Sequence, residues 1–268
     1  MSQQYQVKDL TIEITRKCPM GCTICSSEGG DSDPAELSLV ELCKVVDDAK
    51  QLGATTISLS GGEPLESSHA FDFIRYVKNS GLKLHLYTCG NLYFDNQINA
   101  IKEETFRILK DLPVDKIIFS IHGPNAEIHE KITTKKGSFD NLITSIKRAR
   151  EYGHTVELHF VPVLSNFEFF PQTCLLAKEL GILQMSILRF VPQGRGAENR
   201  DDLEITGMKI LELEKILENV HRDSPVQLRF GAPFNCFNID NRTKCSAGID
   251  KAILRPDGLL FPASVLKN

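Results

Sequence analysis

The chain has no tryptophan among its 268 residues, and aromatic side chains make up only 7% of it. Excess positive charge is also missing. The 31 Lys and Arg stand against 35 Asp and Glu, a formal net charge of −4, so there is no basic footprint for nucleic acid. No segment has the apolar length of a membrane span, and residues 1–8 are polar, without the apolar core of a secretion signal. The seven histidines are scattered, and none forms the i,i+4 pair of a helical metal site. Eight cysteines without an export signal predict thiols and metal in a reducing, cytoplasmic interior, not a disulfide framework. The length is enough to bury one full core with an appendage.

Against these absences, three cysteines stand out. Cys18, Cys22 and Cys25 follow the first predicted strand, with three residues and then two between them. That spacing suits one small loop wrapping a soft-metal centre with thiolates. Four iron sites faced by three thiolates would leave one iron open to an outside ligand, and an open iron is where chemistry occurs. A zinc site lacking its fourth ligand, or chance clustering, is the plainer alternative. Zinc sites pair Cys-x2-Cys with a second pair or with histidines some distance on, and the nearest histidine, His69, lies outside that pattern.

A second segment, residues 55–66, is a β-branched strand running into Gly61-Gly62-Glu63-Pro64. Paired glycines at a strand end allow close backbone approach to a ligand and leave amide groups free. Glu63 adds a carboxylate able to hold an ammonium group, and Pro64 stiffens the exit.

The rest of the chain alternates. Strands are predicted at about 8–15, 55–60, 82–88, 115–121, 155–162 and 184–190 from β-branched and apolar enrichment. Helices are predicted at about 39–52, 67–80, 97–111, 139–152 and 168–180. The first of these begins with a Ser38–Glu41 capping box and ends before Gly53, a C′ glycine. Such alternation implies an α/β fold with a parallel sheet and right-handed crossovers. Periodicity alone leaves an open doubly wound sheet and a curved partial barrel equally available. Cys43 and Cys174 fall in helical apolar patterns and read as core residues, and His85 and His159 as structural histidines within strands. Beyond residue 195 a polar loop precedes a helix capped by Thr206 and running to about His221. A hairpin turning at Asp257-Gly258 follows.

The cysteine triplet and the Gly-Gly-Glu-Pro run together resemble the leading motifs of the radical S-adenosylmethionine (radical SAM) superfamily. The resemblance implies a six-stranded partial (β/α) barrel over residues 1–195 with its site at the strand C-termini. It implies that Cys18, Cys22 and Cys25 hold a [4Fe–4S] cluster whose fourth iron is chelated by S-adenosylmethionine. Reductive cleavage then gives a 5′-deoxyadenosyl radical, which abstracts a substrate hydrogen. Gly61, Gly62 and Glu63 are expected against the methionine moiety, with Thr88, Ser120 and Arg189 as further cofactor contacts at strand ends. Asn91, His122 and Arg195 occupy neighbouring positions, and Cys89 is expected to pack near the cofactor. Ile24 stands where the family often has an aromatic residue, and His122 where many members have aspartate.

Residues 196–268, with Cys236, Cys245 and the hairpin, resemble the SPASM or twitch extensions of the superfamily, which carry auxiliary iron–sulfur clusters. Those extensions commonly place a cysteine directly after the hairpin proline; here that residue is Ala263. Two cysteines cannot hold a [4Fe–4S] cluster without other ligands. Either the cluster is lost, a ligand is replaced, the chain is shortened, or Cys89 or a partner contributes. The resemblance implies modification of a ribosomally made peptide by crosslinking, epimerisation or backbone excision. Only 17 residues precede Cys18, which predicts a separate leader-binding protein or direct contact with the substrate, and the resemblance implies a reductant such as flavodoxin or ferredoxin. Dehydrogenation or rearrangement of a small molecule is the alternative, and a cluster-bearing electron carrier the non-enzymatic one.

Overall fold

The computed structural model describes residues 6–30, 36–112, 114–231, 234, 237 and 248–263. The six expected strands are β1 (Asp9–Thr15), β2 (Thr56–Gly61), β3 (Lys83–Thr88), β6 (Lys116–Ser120), β7 (Val156–Phe160) and β8 (Gln184–Ile187), and they pair in parallel in that order. Between them run α1 (Leu39–Gln51), α2 (Ala70–Asn79), α3 (Glu103–Asp111), α4 (Ala126–Thr133), α5 (Ser138–Glu151) and α6 (Phe170–Glu179). The Ser38–Glu41 capping box is present at the start of α1, and Gly53, at φ +91°, follows its end as expected of a C′ glycine.

The sheet is longer than six strands. The short helices α7 (Arg195–Glu198) and α8 (Arg200–Leu203) lead into α9 (Met208–Asp223), and then β9 (Gln227–Phe230) adds to β8 as another parallel strand. At the opposite edge β10 (Lys251–Leu254) pairs in parallel with β1, and β11 (Leu260–Phe261) turns back on β10 through the Asp257-Gly258 turn. The expected boundary at residue 195/196 is therefore no break in the sheet: the C-terminal part extends both edges of the same nine-stranded layer. Two further elements depart from the sequence pattern. The predicted helix at 97–111 is split, because β4 (Asn91–Phe94) and β5 (Gln97–Ala100) form a separate hairpin turning at Asp95 and Asn96, both at positive φ. Helix α4, capped by Asn125, occupies a stretch with no predicted element.

Alternation along each strand divides the sheet into two faces. Ile12, Leu59, Leu86, Phe119, Leu158 and Ile187 face the helices in one continuous core. The other face is polar. Ser58 donates to Asp9 at 3.0 Å, Lys116 pairs with Glu157 at 2.6 Å, and Arg229 donates to Ser186 at 2.9 Å. Tyr87 on β3 and His159 on β7 meet edge to face at 5.3 Å across the intervening β6. Contact between non-neighbouring strands requires a curved sheet, so this face lines a polar lumen.

Candidate active site

The site is built where β1 and β2 end. Gly62 N–H donates to Thr15 O at 2.7 Å and Glu63 N–H to Lys17 O at 2.8 Å, so the turn after β2 lies directly on the backbone entering the cysteine loop. This close approach explains the glycines. A Cβ on Gly61 would stand 2.4 Å from Thr15 O, and one on Gly62 only 2.3 Å from Lys17 O. The glycine amides are expected to be free for a ligand; that of Gly62 is instead used, with that of Glu63, to hold the two strand exits together.

Glu63 is fully buried. Its Oε2 accepts from Thr88 Oγ1 and from Cys89 N–H, each at 2.8 Å, and Oε1 accepts from Leu65 N–H at 3.3 Å. Burial pushes its pKa up to about 7 in spite of those bonds. Thr88 is thereby occupied, since its hydroxyl also accepts from Gly90 N–H at 3.0 Å. Cys89 lies against both Cys18 and Glu63. Its thiol is held protonated by hydrogen bonding with Cys18, by burial and by the Glu63 charge.

The cysteine loop rests on the end of α4. Gly21 N–H donates to Thr133 O at 3.2 Å and Thr23 N–H to Ile132 O at 2.9 Å. Ile24 packs with Ile132, Val163, Phe190 and Leu203. Across the loop lies the segment after β8. Arg195 Nε donates to Cys22 O at 3.0 Å, and Gly196 N–H to Cys25 O at 3.3 Å. Arg195, not Arg189, reaches the cysteine loop; Arg189 is exposed on the strand exit. Burial, then the neighbouring Cys18 and Cys25, drives the Cys22 thiol far above its ordinary range, while Arg195 opposes them. Three thiols crowded into one short loop in such surroundings fit a cationic centre that would bind all of them as thiolates.

Above the lumen, three buried polar atoms have no partner: Asn91 Oδ1, His122 Nδ1 and Gln193 Oε1. Asn91 is otherwise fixed by bonds from its Nδ2 to Cys89 O and Ser138 O. His122 stacks on His129 at 5.2 Å, and burial lowers its pKa to about 4, so it is neutral at physiological pH. Buried atoms of this kind are ordinarily satisfied, so they suit a polar ligand such as S-adenosylmethionine. The sequence nominated Asn91 and His122 as neighbours of the site. Gln193, which carried no motif, is added by the fold. Ser120 ends β6 half-buried, in register with His159.

The pattern that defines the radical SAM superfamily matches residues 12–169, more than half of the chain. The chain belongs to the radical SAM superfamily. Members use a [4Fe–4S] cluster and S-adenosylmethionine, and the three thiols and orphaned polar atoms above fit both groups. An AdoMet-dependent heme synthase from Methanosarcina barkeri is 28% identical over 245 residues, covering 90% of this chain and 66% of that protein. The mycofactocin maturase MftC of Mycolicibacterium smegmatis is 27% identical over 198 residues, covering 74% of this chain and 48% of the maturase. Streptococcus suis SuiB, solved with its precursor peptide SuiA, shares the fold with a TM-score of 0.77 at 15% identity, covering 98% of this chain and 62% of SuiB. The radical SAM chain described here thus spans between about half and two thirds of these relatives' lengths.

Cys236 and Cys245 lie outside the described residues. Ala263 is described and half-buried after the hairpin proline. Cys174 is buried against Met185, and Cys43 is half-buried on α1. No described helix is long and apolar enough to cross a membrane.

Proposed function

We propose that the chain is a radical SAM enzyme that modifies a ribosomally made peptide by crosslinking, epimerisation or backbone excision. The observation that carries the reading is the lock between Gly62–Glu63 and Thr15–Lys17, which holds three cysteines beside an array of unpartnered polar atoms. Cys18, Cys22 and Cys25 hold the cluster, and Arg195 steadies the loop through Cys22 O. When bound, the cluster and S-adenosylmethionine supply a 5′-deoxyadenosyl radical. Glu63 fixes the end of β3 through Thr88 and Cys89, and so sets the position of Asn91. Asn91, His122 and Gln193 offer acceptors for the cofactor's polar groups, with Ser120 and Arg189 as further contacts for its carboxylate. The substrate lies in the polar lumen, which is lined by Tyr87, His159, Glu157 and Arg229.

The fold shared with SuiB and the likeness to MftC support the peptide class. In this reading a separate leader-binding protein presents the peptide, and a flavodoxin or ferredoxin supplies the electron. A second reading, a small molecule as substrate, is favoured by the heme synthase likeness across 90% of the chain and by the charged lumen.

The test is a count of iron and sulfide per chain after anaerobic reconstitution, followed by addition of S-adenosylmethionine and a low-potential reductant. About four irons with 5′-deoxyadenosine formed is the expected result, and a count well above four adds an auxiliary cluster. Replacement of Cys18, Cys22 or Cys25 by Ala abolishes both cluster and product; full activity in any of these variants defeats the reading. Turnover of a short precursor peptide, set against turnover of a tetrapyrrole or nucleotide, separates the two substrate classes.

A further inference from the structure

The cysteine loop is covered on one side by Arg195 and Gly196, and the unpartnered atoms of the lumen mouth are those assigned to the cofactor under the proposed function. Its remaining side opens on a cavity of about 450 Å³ lined by Lys17, Cys18, Pro19, Gly30, Glu66, Tyr93, Ile98 and Lys135. Cys18 is the only one of the three cysteines in that lining, and none of the lumen side chains named above contributes to it. The cavity therefore reaches one of the three cysteines, Cys18, from outside the lumen.

Two lysines, Lys17 and Lys135, line it although the chain as a whole is acidic, and Lys131 and Lys136 are exposed near Lys135 in sequence, on the end of α4 and the turn after it. That turn is tied to the cysteine loop by the Gly21 and Thr23 bonds to Thr133 and Ile132, so the lysines are fixed relative to Cys18. Among the described residues Lys135 has no ion-pair partner. Glu66, which also lines the cavity, and Glu130 each place one carboxylate oxygen on a backbone amide. Glu66 Oε1 accepts from Tyr93 N–H at 2.6 Å, and Glu130 Oε1 from Gly137 N–H at 2.8 Å. Tyr93, 56% exposed, and Ile98 are cross-strand partners on the β4–β5 hairpin and give the opening an apolar wall.

We infer that this face is the docking surface for an acidic one-electron carrier protein, a partner that rests on the functional reading above. Charge complementarity brings the carrier in, and the Tyr93–Ile98 wall gives it an apolar seat. For a flavodoxin the step balances as follows: the anionic hydroquinone loses one electron to become the neutral semiquinone, and the [4Fe–4S]2+ cluster gains it to become [4Fe–4S]+. No bond breaks and no proton moves.

The experiment uses the full chain, anaerobically reconstituted, as wild type and as Lys135→Glu/Lys136→Glu. Cluster reduction is followed by its electron paramagnetic resonance signal, with either flavodoxin hydroquinone or reduced methyl viologen, a small cation, as donor. The double variant is expected to slow reduction by flavodoxin roughly tenfold while viologen reduces it at least as fast as before. Raising the salt concentration on wild type is expected to slow the flavodoxin reaction alone. An equal loss with both donors would make the lysines structural, and an unchanged flavodoxin rate would place docking elsewhere; either result overturns the proposal. If wild type reduced by viologen forms no 5′-deoxyadenosine from S-adenosylmethionine, the functional reading falls and this inference with it.

Discussion

Thr88 Oγ1 donates a 2.8 Å hydrogen bond to Glu63 Oε2, tying the end of β3 to the turn that follows β2. With Glu63 N–H on Lys17 O, the glutamate joins three consecutive strand exits through one residue. Side chain and backbone do different jobs here. The carboxylate faces β3, whereas the amide holds the cysteine loop, and substitutions can separate them.

Glu63→Ala removes the acceptor for Thr88, Cys89 and Leu65 but keeps the amide on Lys17. Stranding buried donors costs about 3 kcal/mol in total, measurable by urea unfolding. Iron per chain is expected to stay near the wild-type value, while equilibrium binding of S-adenosylmethionine weakens. Loss of iron instead would make Glu63 a support of the cysteine loop.

Gly62→Ala is the complementary case. Its methyl would stand 2.3 Å from Lys17 O and 2.7 Å from Arg16 O, both backbone atoms that cannot swing aside. The exits must separate, at a cost of about 3 kcal/mol, and the cysteine loop loses its register. Iron content after reconstitution is expected to fall sharply. Gly30→Ala, whose methyl meets nothing closer than Arg195 at 4.0 Å, is the control and should retain its iron.

Two arginines near the end of β8 are told apart by what they touch. Arg195→Ala removes the bond to Cys22 O and the positive charge that favours the Cys22 thiolate. Release of iron to a chelator is expected to accelerate about tenfold, the usual scale for a group that supports a metal ligand. Arg189 is exposed and has no such bond, so Arg189→Ala should leave iron release unchanged. Its effect, if Arg189 holds the cofactor carboxylate, is weaker S-adenosylmethionine binding by titration.

Glu157 makes stability depend on acid. Burial raises its pKa, but bonds from His159, Lys116 and Ser186 outweigh that and hold it well below the usual carboxylate range. The unfolded chain binds the proton near pH 4.5, the folded one only at lower pH, so the unfolded state carries more protons in between. The stabilisation is complete above that unfolded value and is lost as pH falls below it. Glu157→Gln is expected to cost about 3 kcal/mol at pH 7 and progressively less as pH drops below 4. Urea midpoints of both proteins at several pH values check this; a constant gap would show that the charge is irrelevant.

Much of the architecture was legible because it is local. The Ser38–Glu41 box, the six parallel strands and the cysteine spacing each lie within a short window, where side-chain period and capping chemistry act on adjacent turns. The β4–β5 hairpin was not, because Gln97–Ala100 runs without a break into helix-forming residues and its turn uses Asp95-Asn96 in place of a glycine. Four-residue β9 carries too little alternation to be recognised, although its Arg229 completes the lumen.

By itself the sequence determined the spacing of the three cysteines, where backbone may approach backbone, and that strands and helices alternate. Only the tertiary structure decided that β9 and β10 would extend opposite edges of one sheet, that Tyr87 would meet His159 across β6, and that Arg195 would close on a cysteine 173 positions away. The reason is physical. A strand's pattern encodes which face is buried, but not which free edge it joins. That choice is made when distant segments compete for the same hydrogen bonds and apolar surface.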